Sequence, residues 1–96
     1  MKDLKFSLTV ECIFNIMTKG ILVTGKVETG VLYVGDEMEL LGDNPKDNSV
    51  KKAKCSSIER YLKPVKSAKT GEYIGIILSG ITRYDVTRGM KLVIKD

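Results

Sequence analysis

Across residues 6–42, FSLTVECIFNIMTKGILVTGKVETGVLYVGDEMELLG, apolar and polar residues alternate, and a glycine stands at nearly every place where the chain must reverse. Successive side chains of a strand point to opposite sides, so this period of two prescribes antiparallel strands and excludes a helix. Phe6, Leu8, Val10, Cys12, Phe14 and Ile16 form one apolar face and Ser7, Thr9, Glu11 and Asn15 the other, which predicts one half-buried strand of unusual length. Turns are predicted at Met17-Thr18-Lys19-Gly20, at Thr29-Gly30 and at Val34-Gly35-Asp36-Glu37, with strands over residues 21–27 and 38–41. Glycine supplies the positive φ that such tight hairpins use.

Beyond Gly42 the pattern stops at Asp43-Asn44-Pro45-Lys46-Asp47-Asn48-Ser49, a run of turn formers that reads as a surface loop. It resumes over residues 50–61, where Ala53, Cys55 and Ser57 share one parity and Ile58 breaks it, the sign of a bulge. Pro64 cannot donate to a ladder and belongs at an edge or a bend. Residues 68–72 turn the chain into an apolar run over residues 73–78, of the kind found in a strand covered on both sides. Residues 82–88 lack a period of two and leave room for one helical turn, after which residues 90–94 supply the last strand. About seven short strands with regular turn signals indicate an all-β barrel or sandwich.

A chain of 96 residues, 43% hydrophobic and 29% charged, fits one domain over residues 1–96. So short a chain buries a smaller fraction of its surface than a large one, and closing the sheet suits it by leaving no unpaired edge in the barrel. No run approaches the roughly 18 to 20 apolar residues that cross a bilayer, and residues 1–5 lack the apolar segment of a secretory signal, so a cytoplasmic protein without membrane contact is expected.

Cys12 and Cys55 match no CxxC metal spacing, and the chain has no histidine to complete a mixed site. They are expected to be free, largely buried thiols, and no metal or cofactor is implied. Lacking histidine, the chain also lacks the commonest general base, so it is expected not to be an enzyme. Residues 20–27, GILVTGKV, come within one residue of the phosphate-binding pattern GxxxxGK[ST], but Val27 has no hydroxyl for magnesium. A phosphate loop follows a strand and opens a helix, whereas these residues are strand formers with no helical pattern after them. The net charge is +4, and Lys46, Lys51, Lys52, Lys54, Lys63, Lys66 and Lys69 offer charge for phosphates, although with 12 acidic residues they also suit an ordinary solvated face.

The segments GILVTGKVETG, YVGDEMEL, GEYIGIILSGI and TRGM keep an order and spacing, across about residues 6–94, that resemble the second domain of elongation factor Tu and its relatives among the translation GTPases. The resemblance implies a closed antiparallel Greek-key β-barrel. It implies a non-catalytic binding module in protein synthesis that contacts RNA, either the transfer-RNA acceptor end or ribosomal RNA. RNA or the ribosome would be its partner, together with a GTPase domain or another translation factor, and no DNA is expected.

Matched residue by residue, Phe14 would line the pocket for the amino acid, and Glu59 would pack against the terminal adenosine and reach its ribose. Tyr61 stands where a phenylalanine is usual. Arg88 would lie near the 5′ end of the acceptor stem, where a bidentate guanidinium suits phosphate, and Lys19, in the Thr18-Lys19-Gly20 turn, would face ribosomal RNA. Three positions depart from the pattern: Cys12 and Tyr73 replace an aspartate and an asparagine, and Leu62 replaces an arginine, with Lys63 next to it. The other function class is a stand-alone protein-interaction barrel whose RNA pocket has decayed.

Overall fold

The computed structural model describes residues 4–42 and 51–96. Among them are nine strands: β1 (Leu4–Thr9), β2 (Cys12–Ile16), β3 (Gly20–Tyr33), β4 (Glu37–Leu41), β5 (Lys51–Arg60), β6 (Lys63–Val65), β7 (Ser67–Lys69), β8 (Tyr73–Ser79) and β9 (Lys91–Lys95). Six of them close a ring. β1 pairs with β9, β9 with β4, β4 with β5, β5 with β8, β8 with β3, and β3 returns to β1, every pairing antiparallel. The alternation leaves an all-β barrel or sandwich open, and this is the closed barrel that the resemblance implies. Its interior is filled by Phe6, Leu8, Val23, Val27, Leu32, Met38, Ile58, Ile76, Leu78 and Leu92, all buried. The surface loop expected over residues 43–49, with Lys46, lies outside the described residues.

The single long strand expected over residues 6–16 is two strands. Val10 donates its N–H to the Met90 carbonyl at 2.8 Å and accepts from Gly89 at 2.9 Å, whereas Glu11 donates to the Thr24 carbonyl at 2.8 Å. β1 lies between β9 and β3, and past Val10 the chain keeps β3 as its neighbour but gives up β9. The inward parity of Phe6, Leu8 and Val10 ends there, and Cys12 and Phe14 of β2 face outward and are exposed. Alternation identifies a face only as long as the strand keeps the same neighbours.

The turn expected at Thr29-Gly30 is a bulge inside β3. Leu8 stands opposite Val27 and Ser7 opposite Thr29, so Glu28 is the extra residue, and the buried positions change from Val23 and Val27 to Leu32 across it. Gly30 has φ +80°, and a Cβ there would run into the Lys5 carbonyl oxygen, which is why a glycine stands at this crossing. The upper part of β3 then pairs with β7.

Other expectations hold. Register shifts between Cys55 and Ser57, β6 with Pro64 pairs only with β5, and residues 83–85 form one turn of 3-10 helix. Residues 20–27, the near-match to a phosphate loop, lie within β3, which continues as strand to Tyr33. No helix among the described residues is long and apolar enough to cross a membrane.

Candidate functional site

Leu22 and Thr24 point outward from β3 because their odd-numbered neighbours Ile21 and Val23 point into the core. β2 lies against this outer surface on one side, with Phe14 opposite Leu22 and Cys12 opposite Thr24. On the other side lies β8, with Gly75 opposite Thr24, and β5 continues the layer with Glu59 opposite Gly75. The absent side chain of Gly75 leaves the floor of this surface open. The result is a groove of about 380 Å³ lined by Phe14, Leu22, Thr24, Glu59, Tyr61, Leu62 and Tyr73 around Gly75. Phe14 and Tyr73 are each 51% exposed, so large apolar rings stand at the surface where burial would otherwise hide them.

One end of the groove is polar. The Thr24 and Tyr73 hydroxyls lie 3.3 Å apart, and Tyr73 Oη donates to Glu11 Oε1 at 3.2 Å. Arg88 reaches the same place from the opposite side of the chain, its Nε donating to the Glu11 carbonyl at 3.0 Å. Upstream of Arg88, Asp85 accepts from the Thr82 N–H at 2.7 Å and pairs with Lys51 at 2.7 Å. The Lys51 ammonium, helped by that N–H, holds the Asp85 carboxyl below its usual range. The segment carrying Arg88 is thus tied to β5.

The other end is the turn between β5 and β6. Tyr61 and Leu62, at its tip, are almost fully exposed. Arg60, before them, makes an ion pair with Glu72 at 2.7 Å.

Of the five residues singled out in the sequence, Phe14, Glu59 and Tyr61 come together in the groove. Arg88 sits beside it through Glu11, and Lys19 occupies the β2–β3 turn, exposed and away from the lining. Sequence reasoning did not select Glu11, Leu22, Thr24 or Gly75. Outward parity marks Leu22 and Thr24, and Gly75 interrupts the apolar run of β8, but only the pairing of β2 with β3 and of β8 with β5 shows that they share a surface.

The two thiols differ, contrary to the expectation that both are buried. Cys55 is buried on β5, and desolvation pushes its thiol up to about 11, whereas Cys12 is exposed because β2 lies outside the barrel. An alkylating reagent at neutral pH is expected to modify Cys12 in the folded protein and to reach Cys55 only on unfolding, as read by mass spectrometry of digested protein. From about pH 9 to about pH 11 the unfolded chain loses the Cys55 proton while the folded chain keeps it, so stability is expected to fall as pH rises through that window.

Among the described residues no cluster of His, Cys, Asp and Glu is placed to hold a metal ion. A family model of elongation factor Tu domain 2 matches residues 20–93, from the start of β3 into β9. Phe14 and Lys19 precede the matched span; Glu59, Tyr61 and Arg88 lie within it. The match covers most of the chain and agrees with the closed six-stranded barrel, and on these grounds the chain belongs to the elongation factor Tu domain 2 family and is a translation-factor-like module.

Proposed function

We propose that the barrel is a non-catalytic module that binds RNA of the translation machinery in the cytoplasm, taking an unpaired RNA end into the groove. The observation that carries this reading is the groove itself: exposed Phe14, Tyr61 and Tyr73 rings beside the Glu59 carboxylate, over a floor opened by Gly75. Unpaired bases are bound by stacking on aromatic side chains and by hydrogen bonds along their edges, and a carboxylate accepts from ribose hydroxyls or base amines. Arg88 and Lys19 supply positive charge outside the groove, where the phosphate backbone would continue.

Tyr73 takes the position of a small polar residue in the family pattern, yet its hydroxyl is joined to Glu11 and Thr24, so one end of the groove keeps hydrogen-bonding groups. This supports an RNA-binding groove over one that has decayed. A GTPase domain or another translation factor is the protein partner that fits the family.

Binding of transfer RNA and of isolated ribosomal subunits, measured at low and moderate salt, tests the proposal. Affinity should fall steeply with salt, with a slope in log–log form of about −0.7 per phosphate neutralised on a single strand. Lys19→Glu and Arg88→Glu should each weaken binding and flatten that slope by about one unit. No RNA binding at low salt, together with a stoichiometric protein partner that ignores both substitutions, would replace this reading with a protein-interaction module.

A further inference from the structure

The turn joining β5 to β6 holds two residues in a conformation that side chains avoid. Tyr61 has φ 54° and Leu62 φ 64°, the left-handed region where two-residue hairpins ordinarily place asparagine or glycine. Neither side chain contributes to the core, since Tyr61 is 83% and Leu62 93% exposed. Strain of this kind, held at a surface turn beside a groove, marks a place where presentation of the side chains matters.

Arg60 fixes that presentation. Its guanidinium carbon lies 5.2 Å from the centroid of the Tyr61 ring, within the range of a cation–π contact. The same guanidinium is held by Glu72 at 2.7 Å. Glu72 is itself anchored: its side chain is only 14% exposed, and its other carboxylate oxygen accepts the Lys69 N–H at 2.9 Å in the turn before β8. Arg60 does not line the groove, whereas Tyr61 does. A chain of contacts therefore runs from the β7–β8 turn through Glu72 and Arg60 to the aromatic ring at the groove wall.

We infer that Arg60, locked by Glu72, is a positioning residue that sets the Tyr61 ring as a fixed wall of the groove for an unpaired nucleobase. The inference rests on the proposed RNA-binding function. A ring already fixed loses less freedom when a base stacks on it, so the brace raises affinity without touching the ligand. A residue acting in this way contributes no phosphate contact, and this separates it from Lys19 and Arg88.

The test uses the whole chain, a short labelled single-stranded RNA and a salt series. Arg60→Met keeps an unbranched side chain but removes the cation; Glu72→Gln keeps an acceptor for the Lys69 N–H but removes the charge that holds Arg60. Both are expected to weaken binding roughly 3- to 30-fold, with the salt slope unchanged, and Arg60→Lys is expected to recover part of the loss. In the free protein, the Tyr61 ring resonances, assigned through Tyr61→Phe, should move toward averaged positions in Arg60→Met and Glu72→Gln.

A slope flattened by about one unit in Arg60→Met would show that Arg60 meets phosphate itself and would overturn the inference. Unchanged affinity in both variants would overturn it too, while leaving the RNA-binding function standing. No binding by the unaltered chain at low salt would remove the proposed function, and this role with it.

Discussion

Phe14→Ala is expected to weaken RNA binding by roughly thirtyfold or more, the effect of losing about 2 kcal/mol at a central aromatic contact, while leaving the fold intact. Phe6→Ala is expected to do the reverse. Phe6 is completely buried and Phe14 is 51% exposed, although both sit at even positions of one alternating run. Removing a buried ring costs the transfer of its atoms and leaves a cavity, in all roughly 3 to 5 kcal/mol, and a domain this small has little stability to lose. Removing a half-exposed ring forfeits only the area already covered, about 1 kcal/mol. Thermal unfolding and RNA titration of the two variants separate these effects. A large stability loss in Phe14→Ala would make it a structural residue.

Gly75→Leu should block the groove without disturbing the barrel. Gly75 has no left-handed φ to lose, and a Cβ there would come 3.1 Å from Leu22 Cδ1, the movable end of a side chain. The backbone can therefore accept the substitution, and a strand position gains a side chain with better β propensity than glycine. The leucine would project between Thr24 and Glu59, Gly75's neighbours across the two ladders. RNA affinity is expected to fall on the order of thirtyfold, as for loss of a central contact, and Gly75→Ala should fall between the two. Equal affinity in Gly75→Leu, with an unchanged unfolding temperature, would move the binding site elsewhere on the barrel.

Strands β4, β5, β8 and β9 were largely legible because turn formers bound them and they keep their neighbours along most of their length, whereas β7 falls on Ala68 and Lys69, where the turn into β8 was expected to begin. The bulge after Cys55 and the edge position of Pro64 could be read from broken parity and from a missing donor. Residues 6–16 and Thr29-Gly30 could not be read in this way. At Val10 the chain loses β9 while keeping β3, without any turn residue, and at Gly30 a glycine serves a close backbone crossing rather than a reversal. The same limit applied to the site. Phe14, Glu59 and Tyr61 were singled out by resemblance, and the groove joining them depends on cross-strand neighbours far apart in sequence, such as Leu22 with Phe14 and Gly75 with Glu59.

The most direct measurement is an NMR titration of the isotopically labelled chain with a single-stranded RNA, following amide and aromatic resonances residue by residue. The expected result is saturable shifts concentrated at Phe14, Leu22, Thr24, Glu59, Tyr61, Tyr73 and Gly75, with weaker shifts near Lys19 and Arg88 that fade as salt is raised. Shifts confined to Lys52, Lys54, Lys63 and Lys66, with the groove unmoved, would show charge-driven binding alone and would contradict the account.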